Sequence, residues 1–360
     1  MAEAALAQIS DTVRAAAAAR EPLEIRGGGT KAFYGGAVEG TPISTAALAG
    51  IVDYAPKELV VTARAGMQLA ALEDAMRAER QMLAFEPPHF DAGGTLGGAI
   101  ATGLSGPRRP YSGAARDFVL GLRIVDGTGE ALGFGGRVMK NVAGFDVARL
   151  MTGALGTLGV ITEVSLKCLP MPRAEATLVI DCDAGESIRR VNEWGARPLP
   201  VTATCHHDGR LWVRLAGAQP AVAAALQQMG GGEDAGGAAL WPAVRDQAHP
   251  FFVRATEGGL ALWRLSVRST APHAHELAGE TLIEWGGALR WLATSADAAA
   301  APIRAWAAAH GGHATLFRAY DKHAGAFAPL DATMLALHKR LKATFDPRGI
   351  FNRGRLHPDF

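Results

Sequence analysis

Apolar positions recur along this chain with the period of a helix in some stretches and of a strand in others. An alanine-rich opening spaces Leu6, Ile9 and Val13 three and four residues apart, which predicts one amphipathic helix. Leu23-Glu-Ile-Arg26 reads as a short strand, and residues 58–64 read as another, ended by Gly66. Met67 to Arg80 carries Leu69, Leu72 and Met76 on one helical face. Residues 118–126 and 159–169 add apolar, β-branched runs, so strands, helices and long glycine loops alternate to about residue 170.

Pro170-Met-Pro172 reads as a linker, because two prolines interrupt any regular element. Beyond it, strands are expected at 177–181, 211–215, 260–267 and 315–319. Residues 281–285 and 288–292 flank Gly286-Gly287, a two-residue hairpin signal. Helices are expected at 186–194, 221–229 and 301–309, with Pro302 in the first turn of the last, where its missing N–H costs nothing. An antiparallel sheet with helices on one face is the natural reading of this second unit. Residues 230–237, five of them glycine, read as a mobile surface loop, and a last helix over 333–344 leads into Phe345-Asp-Pro-Arg-Gly-Ile-Phe-Asn352.

At 360 residues, with 49% hydrophobic and 20% charged positions, the chain is expected to fold as two soluble globular domains. A formal net charge of +1 recommends neither nucleic acid nor an acidic membrane as partner. No apolar run is long enough to span a bilayer, and the start lacks the pattern of a secretory signal, so a cytoplasmic location is expected. Cys168, Cys182 and Cys205 are too few and scattered for a disulfide framework, and read as buried free thiols. With no C-x-x-C, no metal centre is expected in this chain.

The candidate chemistry lies in two glycine-rich loops, Arg26-Gly-Gly-Gly-Thr-Lys31 and Gly93-Gly-Thr-Leu-Gly-Gly98. Glycine lets backbone approach a ligand closely, and successive exposed N–H groups form a concave anion site. Gly27-Gly-Gly29-Thr-Lys-Ala32 satisfies a loose G-x-G-x-x-A, and Asp53 lies at a tolerable distance for a ribose contact. A Rossmann loop must open a helix, however, and three glycines and a proline occupy residues 33–42 where that helix should run. Neither loop reads as continuing into an ordinary nucleotide-binding helix, and no Walker spacing occurs. Two loops suggest instead a dinucleotide diphosphate gripped from two sides. Thr95, Thr102 and Ser105 interleave hydroxyls with the glycines that run to Gly106, and Gly153-Ala-Leu-Gly-Thr-Leu-Gly-Val-Ile161 supplies a third glycine-rich segment.

These loops, with Arg116-Asp117-Phe-Val-Leu-Gly121, Lys140-Asn-Val-Ala-Gly-Phe-Asp146, Gly156-Thr-Leu-Gly-Val-Ile-Thr162 and Phe345-Asp-Pro, resemble the FAD domain of the vanillyl-alcohol oxidase (PCMH) type. Gly106-Pro-Arg-Arg-Pro-Tyr-Ser-Gly113, Trp285-Gly-Gly-Ala-Leu-Arg-Trp-Leu292 and Gly312-His-Ala-Thr-Leu-Phe-Arg318 narrow the resemblance to the smaller FAD-binding subunit of bacterial glycolate oxidases. The resemblance implies an α+β fold. Residues 1–170 would form a two-subdomain FAD-binding domain, residues 171–332 an α+β cap with an antiparallel sheet, and residues 333–360 would return to the FAD domain.

By the same resemblance, Arg26, Gly27, Gly28, Gly29, Thr30 and Lys31 would wrap the diphosphate. Gly94, Thr95, Gly97 and Gly98 would close over it, and Thr102, Ser105 and Gly106 would continue toward the flavin, with Asp117 also in the cofactor set. Gly156, Gly159, Val160 and Ile161 would line the adenine or ribitol side, and Asn352 would seal the site. Some relatives attach FAD through a histidine after the three glycines. Thr30 stands in that place, so FAD is expected to be non-covalent.

The His-Pro-x-His and Asp-Gly-Asn-x-His clusters of larger flavin dehydrogenases are missing. His206-His-Asp-Gly209, the nearest string, reads as a turn. Catalytic residues are therefore not assigned. Arg264, Arg290, His313 and Arg318 are candidates for holding a carboxylate or moving a proton, on strands the resemblance would turn to the flavin, against a reading as solvated or interface residues. Trp263, Trp285 and Trp291 read as core or interface anchors.

The expected function is that of the FAD-bearing subunit of a glycolate-oxidising complex, with a larger FAD-binding subunit, an iron–sulfur subunit and a small 2-hydroxy acid as substrate. Through those partners it would sit peripherally at the inner membrane. A stand-alone flavin oxidoreductase for a 2-hydroxy acid or alcohol, a sugar-nucleotide reductase and a non-catalytic assembly subunit are the alternatives.

Overall fold

The computed structural model describes residues 2–136 and 146–360. The chain forms two compact units: Met1–Leu104, Ala114–Met171 and Pro329–Phe360 make the first, and Ser105–Gly113 with Pro172–Ala328 the second.

The first unit is built on a five-stranded antiparallel sheet, in the order Ile51–Ala55, Val60–Arg64, Val160–Lys167, Val119–Val125 and Ala131–Gly135. Val61, Ala63, Leu122, Ile124, Val164 and Leu166 are buried with Leu72 and Met76 of helix Leu69–Ala78 and with Phe85 and Phe118. The alternation along each strand decides which side chains enter this core. A second cluster packs Ile9, Val13 and Ala16 of helix Ala2–Ala19 on Leu23, Ile43, Ile350 and Phe351. Here the strand Leu23–Arg26, predicted at those bounds, pairs in parallel with Thr41–Ser44.

The second unit holds an eight-stranded sheet. Its order is Gly232–Glu233, Ala174–Asp181, Arg210–Gly217, Val201–His207, Glu280–Glu284, Leu289–Thr294, Ala261–Ser266 and His313–Arg318, antiparallel throughout. Helices Ala184–Gly195, Gln219–Met229 and Ala300–Ala309 occupy the predicted places. Asp208 and Gly209, at φ 49° and 71°, make the expected turn between paired strands.

Several expectations are corrected. The second glycine loop does open a helix, the seven-residue Leu96–Thr102, capped by the Thr95 hydroxyl accepting from the Gly98 N–H at 3.2 Å. The tryptophan hairpin is not closed by two residues: Glu284 pairs with Leu289, and four residues turn between them, with Trp285, Gly286 and Gly287 all at positive φ. Residues 230–237 are not a free loop, because Gly232–Glu233 forms an edge strand and Gly237 begins helix Gly237–Arg245. Pro170 pairs through Leu169–Pro170 with Gln81–Met82, so the linker begins one residue later. Strand Val201–His207 and helices Gly237–Arg245 and Pro250–Glu257 are additions to the predicted set.

Candidate functional site

The two glycine loops meet backbone to backbone. A Cβ on Gly28 would stand 1.5 Å from the Gly93 carbonyl oxygen, and one on Gly27 would stand 2.4 Å from the Thr95 hydroxyl. Only glycine fits at either position. Gly29, at φ +73°, has nothing within 4 Å of its missing Cβ and so turns bare backbone to open space.

That space is a cavity of about 250 Å³ lined by Glu24 to Ala32, Thr95, Gly98, Ala101, Thr102, Leu155, Asn352 and Arg355. Among the described residues, the backbone N–H groups of Gly28, Gly29 and Thr30 donate to no protein acceptor. Three successive N–H groups beside such a hollow form an anion nest. A smaller cavity shares several of these walls and adds Thr45, Gly97, Gly156, Gly159 and Ile161. Pockets for whole drug-sized ligands run to roughly 300–1,000 Å³. These two hollows therefore suit the diphosphate and adjoining sugar of a dinucleotide rather than all of it.

The C-terminal segment builds one wall. Asn352, buried at φ 40°, accepts from the Ile25 N–H at 2.8 Å and donates to the Leu155 carbonyl at 2.7 Å. Its amide thus ties strand Leu23–Arg26 to the third glycine segment. Gly156 is required beside it, because a Cβ there would lie 2.7 Å from the Asn352 Nδ2. Lys31 is buried, with its Nζ 3.4 Å from the Thr30 hydroxyl, 3.5 Å from the His89 carbonyl oxygen and over the Phe90 ring. Arg26, more exposed, bridges Glu24 at 2.6 Å.

Not every predicted cofactor residue lines these cavities. Gly94 is buried below them, its carbonyl accepting from the Leu69 N–H at 2.9 Å. Val160 is a core residue beside Val125. Asp117 is exposed and accepts from the Ala114 N–H at 2.8 Å, capping a short helix. Ser105 and Gly106 belong to the second unit, where the Gly106 carbonyl accepts from the Trp285 indole at 3.0 Å. The motif residues from Lys140 to Phe145 lie outside the described residues. Glu24, Ala101, Leu155 and Arg355 line the main cavity without having been foreseen. Glycine spacing carries no information about any of them.

The catalytic candidates divide. Directly opposed residues of an antiparallel pair share a face. Arg264 opposes Trp291, whereas Arg290 opposes Leu265, the next residue along the strand, so the two arginines point to opposite faces. Arg290 is 3% exposed, donates to the Ala271 carbonyl at 2.9 Å, and has its pKa pulled down to about 10 by burial. It is neither solvated nor placed to share a ligand with Arg264.

Arg264 lies over the rings of Trp285 at 4.9 Å and Trp291 at 6.0 Å, and Arg109 covers Trp285 at 4.5 Å. His313 opposes Ser266 and so shares the face of Arg264; desolvation and then the Arg264 charge hold its pKa below the usual value. Arg318 donates to the Gln247 side-chain carbonyl at 2.7 Å, and desolvation lowers its pKa to about 10. Trp263, Trp285 and Trp291 are all buried.

Comparison with known proteins agrees with this architecture. The FAD binding domain family matches residues 4–135. The glycolate oxidase subunit GlcE of Escherichia coli is 46% identical over 349 residues, covering 97% of this chain and 96% of its own length. A D-lactate dehydrogenase of Anaerostipes hadrus is 36% identical over 156 residues, covering 42% of this chain and 32% of the dehydrogenase. In solved structures, alkyldihydroxyacetonephosphate synthase shares the fold at a TM-score of 0.65 and 15% identity, over 96% of this chain and 74% of the synthase. With that identity running the length of both chains, the protein belongs to the family of the glycolate oxidase subunit GlcE, flavoproteins built on an FAD-binding domain.

Proposed function

We propose that this chain is the FAD-bearing subunit of a complex that oxidises glycolate to glyoxylate. The observation that carries the reading is the nest of unpaired Gly28, Gly29 and Thr30 amides at the meeting point of two glycine loops, in a chain matched end to end by a glycolate oxidase subunit. Bound FAD would supply the two-electron chemistry. The nest would hold the diphosphate, Thr95 and Thr102 would offer hydroxyls beside it, and Asn352 would brace the wall. Thr30 offers no imidazole for a covalent link, so the cofactor is held reversibly.

The partners are a larger flavin subunit and an iron–sulfur subunit, to which this chain passes or from which it receives electrons. No helix among the described residues is long and apolar enough to cross a membrane, and those partners would bring the chain to the inner membrane surface. A stand-alone oxidase is the second reading, favoured by Arg264 and His313 on one face of the second sheet, where a cation and an imidazole could meet a 2-hydroxy carboxylate.

Anaerobic addition of glycolate to the FAD-loaded chain, alone and then with the two other subunits, separates these readings. Flavin bleaching only in the presence of the partners is expected. Bleaching of the isolated chain would select the stand-alone oxidase, and a chain that takes up no FAD would sink both readings.

A further inference from the structure

Arg355 reaches the cavity from the far end of the chain, and nothing in the glycine motifs announces it. Its path is fixed by main-chain contacts: the Gly36 N–H donates to the Arg355 carbonyl at 2.8 Å, and the Asn352 N–H donates to the Leu23 carbonyl at 3.0 Å. The arginine stem lies against Gly35 (φ +93°), where a Cβ would come within 3.2 Å of its Cδ and Nε. A side chain at Gly35 would push the guanidinium out of place.

The guanidinium itself is sparsely used. Nη2 donates to the Lys31 carbonyl, at the end of the first glycine loop, at 2.9 Å. Among the described residues it has no other protein acceptor and no ion pair, although a guanidinium carries five N–H donors. Glu24, the carboxylate that acts on it through space, is bonded to Arg26 at 2.6 Å. Burial lowers the pKa of Arg355, with the Glu24 charge opposing. A buried cation is costly unless something pairs with it. Arg355 lines the same cavity as Gly28, Gly29 and Thr30, whose amides form the nest.

We infer that Arg355 is a ligand of the cofactor's diphosphate, the charged clamp that the C-terminal segment adds to the neutral nest of the glycine loop. This rests on the reading of the cavity as an FAD site. The loop amides orient the phosphates, and the planar fork of Arg355 contributes charge-assisted hydrogen bonds to them. The glycine loops would then be only part of the grip, and the tail would be a component of the cofactor site as well as a strap.

The test is FAD affinity, measured by fluorescence on the apoprotein, with ADP as a competitor and riboflavin as a phosphate-free control. Arg355→Gln keeps a polar, N–H-bearing side chain while removing the charge. It is expected to weaken FAD and ADP by about tenfold or more, since hydrogen bonds to charged groups carry roughly 1.5–3 kcal/mol. Riboflavin binding and the melting temperature should not change, and Arg355→Lys should recover part of the FAD affinity. Wild-type FAD and ADP affinity in Arg355→Gln would overturn this inference alone, as would an equal loss of riboflavin. A wild-type chain that binds neither FAD nor ADP would overturn the cofactor reading and this inference with it. Should Arg355→Gln fail to fold, Arg355→Lys decides: an FAD affinity below wild type that falls more steeply with added salt supports the clamp, and wild-type affinity at every salt concentration overturns it.

Discussion

Lys342→Met is the most demanding test of how the tail is held. Lys342 lies in helix Ala332–Phe345 and is buried, its ammonium donating to the Thr157 and Phe351 carbonyls at 2.8 Å each and pairing with Asp346 at 2.7 Å. Asp346, with a fully buried side chain, in turn accepts from the Ile350 N–H at 3.0 Å and the Phe351 N–H at 2.8 Å. Methionine keeps much of the length and removes the charge. It leaves two carbonyls without their donor and a carboxylate with only its two amides. Breaking a buried pair from one side costs about 3–5 kcal/mol, and the surviving amide bonds argue for the lower end. For a unit of this size each kcal/mol moves the midpoint by roughly 2–4 °C, so a fall of about 6–12 °C is expected by calorimetry at pH 7. The loss should extend to FAD affinity, because Asn352 and Arg355 lie in the short segment that begins at Phe351. Lys342→Met with Asp346→Asn should recover part of the stability, since no unpaired buried charge remains. A midpoint within about 2 °C of wild type would refute the reasoning.

Gly98 borders both cavities, and a Cβ there meets only the Thr95 hydroxyl, at 3.2 Å. Gly98→Leu should therefore fold and melt near wild type yet purify without yellow colour; stoichiometric FAD in this variant would contradict the loop assignment. His249 is buried, and its Nδ1 accepts from the Phe251 N–H at 3.3 Å. Desolvation first, then the charges of His207 and Arg254, lowers its pKa from 6.5 to about 4, with Glu280 opposing. The unfolded chain thus binds the extra proton between those two values, so His249 costs nothing above pH 6.5 and destabilises increasingly as the pH falls toward 4. Solvent screening reduces this to about 1–2 kcal/mol. His249→Asn keeps an acceptor for the cap and should flatten that acid limb in urea unfolding curves, and an unchanged limb would remove His249 as its cause.

Local chemistry made much of the fold legible. Helix Ala2–Ala19 and strand Leu23–Arg26 were readable because a helical stripe and a short β-favouring run are local signals. The hairpin at Trp285 was misjudged by its glycines, since Trp285 itself takes φ 55° and joins the turn. Residues 230–237 looked like a loop for the same reason. Gly237 is instead small because a Cβ would fall 2.2 Å from that of Thr177, which is a packing demand and not a turn.

The kind of ligand is legible from local sequence. Two glycine clusters without a Rossmann helix call for bare backbone against a diphosphate, and the ordered motifs identify the flavoprotein family. Tertiary structure alone decided which groups share the cavity. It brought Gly28 against Gly93, buried Gly94 and Val160, turned Arg290 away from Arg264, and carried Arg355 to the first loop. The physical reason is reach. Turn and helix preferences act over a few residues, whereas the Arg355 guanidinium meets the Lys31 carbonyl across 324 positions, through a tail fixed by the buried Lys342–Asp346 pair.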